Sequence, residues 1–360
     1  MNAEVVPSLA HAPAAVRAER GSARLALLVL AGIGLLVLAL VAGVGLGNVA
    51  LDPGTTVALL AHRLLGWPVA PTWAPTSETI VLELRLPRVL TAMAVGAALS
   101  LAGTTFQGLL RNPLADPYVL GTASGAALGA AIAVLLPVRL FVLGLGVIHG
   151  LAFIGALGAV ALVYRLSRAS SLGSLTGLLL TGYAVGSLLA AGLALTLYLS
   201  GAHLRQIVFY LLGGFGTVSW PHLVAALPLI ALGGAVLLLR ARSLNALLLG
   251  EEAAAHLGID VTRERALLLA TAALLTAAAV AVSGLIGFVG LVVPHVTRLL
   301  VGPNARLVLP LGALYGGAFL AFADLVARIP GELPVGIITA VVGAPFFLAL
   351  IRRARAGYEL

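Results

Sequence analysis

Residues Ala266–Thr297 read ALLLATAALLTAAAVAVSGLIGFVGLVVPHVT and contain no charged side chain. A bilayer core takes about 20 apolar residues per helix. Arginines stand on both flanks, at Arg263 and Arg265 before the stretch and at Arg298 after it. Arginine-rich flanks mark the cytoplasmic side, so the chain goes out and comes back within this stretch. Ala266 through Thr297 is 32 residues, which at 1.5 Å each reach roughly 48 Å, short of two full crossings of about 30 Å. At least one arm is therefore short, or runs on past Arg298. Gly284, Gly287 and Gly290 mark the bend, and Pro294 distorts the return arm. The fold class is all-α, a polytopic membrane protein.

The rest of the chain repeats the pattern without the difficulty. Uncharged stretches cover 25–51, 89–110, 117–138, 140–164, 169–204, 206–239, 307–323 and 333–351. Helices are expected at about Leu25–Gly47, Pro87–Leu109, Leu114–Leu136, Leu140–Tyr164, Ser174–Ser200 and His222–Leu239, then the two arms, then Leu307–Val326 and Pro334–Ile351. That makes ten transmembrane helices per subunit, with both termini cytoplasmic. Arg17, Arg20 and Arg24 precede the first helix, and Arg352, Arg353 and Arg355 close the last. Residues 1–24 form an N-terminal tail, 25–353 the transmembrane domain and 354–360 a C-terminal tail. Trp67 and Trp73 place the first external loop on the bilayer surface. His203–Trp220, broken by Gly213, Gly214 and Gly216, is expected as a short outer helix or re-entrant piece. Glycines at four-residue spacing, Gly121/Gly125/Gly129, Gly182/Gly186 and Gly312/Gly316, let helix backbones approach closely.

Composition narrows the function. Apolar residues make up 61% of the chain and charged residues 9%, so lipid is the solvent for most of the surface. The net charge of +8 sits on arginines between apolar runs, which makes it a topology signal and not a nucleic-acid surface. There is no cysteine, which excludes disulfides, thiolate metal sites and thiol nucleophiles. There is also no lysine, so the phosphate-cradling loop of an ATPase cannot be present. Uphill transport would draw its energy from a partner or an ion gradient.

No catalytic constellation and no metal site emerge. Ser283 with His295 could serve as an intramembrane protease dyad, but Ala281 stands where such a serine usually has a glycine. Asp116 and Asp324 lie near expected helix ends and not at the midplane, which disfavours a proton-coupled carrier. The polar segment 240–265 is expected in the cytoplasm. Its core, Leu244–Gly258, reads as two short amphipathic helices broken at Gly250 and ended at Gly258, with leucines and alanines that want a partner.

At this point the chain resembles the permease family of type II ABC importers, which take up vitamin B12, haem and ferric siderophores. The resemblance is carried by Arg85-Leu86-Pro87-Arg88, by Arg111-Asn112-Pro113-Leu114-Ala115-Asp116-Pro117, and by Leu212-Gly213-Gly214-Phe215-Gly216. It continues through Leu249-Gly250-Glu251 to Leu257-Gly258 and through Gly284–His295. Ala323-Asp324-Leu325-Val326-Ala327-Arg328 and Glu332-Leu333-Pro334-Val335-Gly336 complete it.

What the resemblance implies is a permease without enzymatic activity or cofactor, working by alternating access. The implied partners are two copies of an ATP-binding subunit, an extracytoplasmic substrate-binding protein, a second copy of the chain and a metal chelate; nucleic acid is not among them. The implied setting is the bacterial cytoplasmic (inner) membrane. The cargo is expected to be an iron complex, siderophore-bound or haem, with vitamin B12 as the alternative. A stand-alone secondary transporter is the alternative of another class. Asn112 and Leu114 are expected at the inner gate. Gly250, Glu251, Ala254, Leu257 and Gly258 are expected to couple to the ATPase. Arg85, Arg88 and Arg328 are expected as rim-exposed docking arginines for the binding protein, at the outer helix ends where arginine is disfavoured.

Overall fold

A computed structural model describes residues 14–47, 49, 51–68, 73–138, 140–142, 144–169, 175–329 and 331–356. The far ends of both expected tails, and Arg139, lie outside the described residues. The helices are α1 (Ala14–Gly45), α2 (Pro53–Leu65), α3 (Pro75–Thr79), α4 (Leu86–Leu109), α5 (Thr122–Leu135), α6 (Val147–Ala169), α7 (Leu175–Leu199) and α8 (Leu204–Leu212). They continue as α9 (Trp220–Leu239), α10 (Ala241–Leu249), α11 (Glu251–His256), α12 (Val261–Ser283), α13 (Val289–Val301), α14 (Ala305–Arg328) and α15 (Val335–Ala356). A two-residue hairpin, β1 (Phe141–Val142) with β2 (Leu145–Gly146), joins α5 to α6.

Among the described residues, 7 helices are long and apolar enough to cross a membrane, and α5, α13 and the apolar part of α15 are shorter. The two arms expected in 266–297 are α12 and α13. The return arm is the short one, at 13 residues, and it does run past Arg298. The third helix begins later than expected, at Thr122 and not at Leu114. The chain between Arg111 and Gly121 is instead a series of turns, because Pro113 and Pro117 each lack the N–H that a helix ladder needs.

These two short helices complement each other. The turn 284–288 and the turns 111–121 both place irregular backbone inside the bundle, which is tolerated only where protein covers it. Here they cover one another. The Tyr118 hydroxyl lies 3.0 Å from the Ile286 carbonyl and 3.2 Å from the Ile286 N–H. A Cβ on Gly290 would sit 2.6 Å from the Pro117 ring.

α4 is the axis of the bundle and packs against α14, α12, α13 and α9. Its apolar window is 78% buried, against 11% for α1 and 17% for α7. Small side chains make this possible. A Cβ on Gly96 would lie 2.2 Å from the Gly316 carbonyl, and one on Gly125 2.2 Å from the Gly155 carbonyl. The threonines inside satisfy themselves by donating to the carbonyl four residues back, as in Thr91 to Pro87, Thr105 to Leu101 and Thr276 to Ala272.

α1 begins and α15 ends at the end of the bundle that carries α10 and α11, called here the α10 end. α8 and the starts of α4, α9 and α15 lie at the other, the α8 end.

Candidate functional site

The α8 end is organised by charge. The chain enters α4 through α3 and a π-helical stretch, Ile80–Arg85, that carries it past Pro87. Arg85 ends that stretch and Arg88 stands in the first turn of α4. Arg88 donates from Nε and Nη2 to Asp324 Oδ1 (3.0 and 2.9 Å) and from Nη1 to Glu332 Oε2 (2.8 Å). Arg328, one turn beyond Asp324, brings its Nε to 3.3 Å from Asp324 Oδ2. Arg85 turns the other way and donates to the carbonyls of Val44 and Gly45 at the end of α1 and of Val49 just beyond it.

This corrects the expectation of rim-exposed arginines. Arg85, Arg88 and Arg328 are 7, 9 and 3% exposed. The guanidiniums turn inward, Arg85 to the carbonyls at the end of α1 and Arg88 and Arg328 to Asp324, and a buried guanidinium needs such partners in place. The sequence reading missed Glu332 as one of those partners. Its side chain is 44% exposed, and its backbone is left-handed at φ 63°, held in a turn just before Pro334.

Arg88 and Glu332 also border a cavity of about 910 Å³, whose wall includes Arg205, Phe209, Tyr210 and His149. The Arg205 guanidinium lies over the Phe209 ring at 5.5 Å. His149 and His222 meet edge to face, 4.7 Å between centroids. The Ser219 N–H donates to His222 Nδ1 (3.2 Å), which caps α9 and leaves the ring proton on Nε2. The floor is two stacked turns. The Gly214 N–H donates to the Ser283 carbonyl (2.7 Å), and a Cβ on Gly284 would meet the Tyr210 carbonyl at 2.2 Å.

Ser283 and His295 are not hydrogen-bonded to each other: the Ser283 hydroxyl points at the Ala279 and Gly284 carbonyls, while His295 meets Phe346 edge to face, 5.8 Å between centroids. No cluster of three metal-ligating side chains occurs among the described residues.

At the α10 end, Asn112 closes a side-chain turn: its Oδ1 accepts from the Leu114 N–H at 2.9 Å. Asn112 is exposed and Leu114 half-buried. Asp116 accepts from the Tyr118 N–H (2.9 Å). The segment 241–258 does form two short helices with breaks at Gly250 and Gly258. Both glycines have positive φ, 129° and 79°, with nothing near a would-be Cβ, so backbone conformation alone selects glycine there. Leu249 and Leu257 are 75 and 66% exposed. Glu251 pairs with Arg265. Ala254 departs from expectation: it is fully buried against the chain itself, so of the apolar contacts expected here it is not open to a partner.

A model of the FecCD transport family matches residues 35–353. The cobalamin import system permease protein BtuC of Halobacterium salinarum is 46% identical over 301 residues, 83% of this chain and 79% of its own length. The hemin transport system permease protein HmuU of Yersinia pestis is 45% identical over 281 residues, 77% of this chain and 84% of its own. A solved structure, described as an inward-facing conformation of a metal-chelate type ABC transporter, superposes with a TM-score of 0.78 at 34% identity, covering 90% of this chain and 98% of that one.

Proposed function

The chain belongs to the FecCD transport family, and from that premise we propose that it is the membrane permease of an ATP-driven importer for a metal chelate. The observation that carries the proposal is the match over 35–353, which takes in both ends of the bundle. ATP hydrolysis is assigned to a separate subunit, consistent with a chain that has no lysine for a phosphate loop.

The three shorter apolar helices join the seven long ones as ten crossings. The α10 end faces the cytoplasm of a bacterial cell, with both termini there. Two copies form the pathway, two ATP-binding subunits dock on the α10 end, and a binding protein docks on the α8 end. Alternating access is biased by ATP in the partner and by the loaded binding protein.

Asn112 and Leu114 are proposed at the inner gate, on the turn that precedes α5. Gly250, Glu251, Leu257 and Gly258 are proposed to enter the ATPase, with Ala254 anchoring α11 from within. Docking through Arg85, Arg88 and Arg328 is proposed in altered form. The buried cluster holds three guanidiniums against the two carboxylates of Asp324 and Glu332, a net charge of +1 that draws acidic groups to this end.

The cargo proposed is an iron complex, a ferric siderophore or haem. A second reading, cobalamin, is favoured by the relative at 46% identity. Both are tested by uptake into proteoliposomes carrying the permease with its ATP-binding subunit and binding protein, offered haem, a ferric siderophore and cyanocobalamin in parallel. Uptake should require the ATP-binding subunit and ATP. Uptake that persists without them, driven by an ion gradient, would replace the importer with a secondary transporter.

A further inference from the structure

The α10 end contains a second arginine site, beside the gate turn and the first helix of the coupling segment. A pocket of about 230 Å³ opens between α4, α10, α13 and α14. Its wall includes Thr104, Gln107, Arg111, Leu244, Leu248 and Arg298, and no acidic residue. Both guanidiniums are held in place. Arg111, in a left-handed backbone at φ 47°, donates from Nε to the Leu247 carbonyl (3.2 Å). Arg298 donates to the Gln107 amide oxygen, and the Gln107 amide nitrogen donates to the Gly290 carbonyl (3.1 Å).

Two fixed positive charges on one small pocket repel each other unless an anion joins them. Of the carboxylates at this end, Glu264 pairs with Arg240, Glu251 with Arg265 and Asp260 with Arg263, while Asp116 accepts from the Tyr118 N–H and Glu252 is exposed on α11. Among the described residues no carboxylate pairs with Arg111 or Arg298. This contrasts with the α8 end, where Arg88 and Arg328 share Asp324. A volume of 230 Å³ is several times the ~30 Å³ share of one water, enough for a tetrahedral oxyanion.

The depth is also informative. Arg298 is three residues from the last residue of α13, roughly 5 Å from the helix end. That is headgroup level for a helix emerging from a bilayer. Beside it, Val296 and Leu299 are 38 and 69% exposed on α13, an apolar strip leading away from the charge. α1 is tied to the same level, with Arg24 donating to the Leu300 carbonyl (3.0 Å).

We infer that Arg111 and Arg298 form a phosphate-binding site, occupied by the headgroup of an anionic phospholipid whose chains lie along α13. Basic pockets between membrane helices hold such headgroups, and arginine grips phosphate through its planar fork. The inference goes beyond the transport reading and needs only that the chain crosses a bilayer. An occupant here would brace α10 against α4 and α14, next to the segment that enters the ATPase in the proposal above.

The test uses the full chain purified in mild detergent from a membrane containing phosphatidylglycerol, with bound lipid read by native mass spectrometry. The wild type should retain one phosphatidylglycerol per chain in preference to phosphatidylethanolamine. Arg298→Gln should lower that retention about fivefold, which is about 1 kcal/mol per arginine. Arg298→Lys should retain an intermediate amount. Arg306→Gln, an exposed arginine outside the pocket, should change nothing. A second arm adds millimolar inorganic phosphate to delipidated protein. A rise in melting temperature that Arg298→Gln abolishes, without lipid retention, keeps the phosphate site and makes free phosphate its source. If Arg298→Gln does not fold, Arg111→Gln takes its place in both arms. Equal lipid retention and equal phosphate response in wild type and variant would overturn the site.

Discussion

The two ends of this bundle use arginine in opposite ways. At the α8 end, Arg88 is buried at the edge of a cavity, with its carboxylates supplied from α14 and the turn before α15. At the α10 end, Arg111 and Arg298 reach a pocket that no carboxylate lines. The cause is burial. A charge taken fully out of water must carry its counter-charge into the fold, or the fold does not form. A charge left near the headgroups can leave its counter-charge to the surroundings. The first arrangement welds α1, α4, α14 and α15 together; the second leaves an opening for something outside the chain. The largest expected effect tests this directly. Asp324→Asn strips Arg88 and Arg328 of a shared partner and should cost about 3–5 kcal/mol, read as thermal unfolding in detergent. Arg298→Gln, only partly buried, should cost no more than about 1 kcal/mol in the same assay. Equal losses would mean the two ends do not differ in kind.

A smaller effect tests what connects them. α4 runs from one arginine site to the other, and at Gly103 a Cβ would fall 1.8 Å from the Gly290 carbonyl. Gly103→Ala must push α13 aside and should cost about 1–3 kcal/mol. Gly34→Ala, on the lipid face of α1 with nothing within 4 Å, should stay within about 0.5 kcal/mol of wild type. If Gly103→Ala lowers both stability and phosphatidylglycerol retention, the pocket depends on the α4–α13 seam that holds Gln107 under Gly290.

Most of this architecture was legible in the sequence. The length argument over Ala266–Thr297 required a short arm, and the short arm is α13. The breaks at Gly250 and Gly258 were visible because a glycine flanked by helix-forming residues marks a positive φ. What was not legible follows from side-chain direction. Arg85, Arg88 and Arg328 fall at helix ends, and a linear reading sets helix ends in water; only the packing of α4 against α14 turns them inward. Glu332 was invisible as their partner because it lies 244 residues from Arg88 in the chain. Ala254 and Leu257 share one short motif, yet one is buried and the other exposed, a distinction that depends on how α11 lies on its neighbours. That no carboxylate among the described residues stands beside Arg298 could not be read at all, since it consists in what is missing around it in space.

The smallest effect on the fold is the one that bears most on partnership. Leu257 is 66% exposed and touches little of its own chain, so Leu257→Asp should leave the melting temperature of the isolated permease within about 0.5 kcal/mol of wild type. In the assembled transporter the same aspartate would be buried without a counter-charge at the proposed ATPase contact, which is costly. Co-purification of the ATP-binding subunit should fall sharply while the permease itself stays folded. Ala254→Asp provides the contrast. It puts a charge into a fully buried position of the chain and should destabilise the permease even in the absence of any partner. Loss of the ATPase in both variants, with loss of fold in only one, would separate a contact surface from its internal support. An ATPase that still co-purifies with Leu257→Asp, with hydrolysis still linked to transport, would remove α11 from the interface and leave Leu249, one break earlier, as the next exposed leucine at this end.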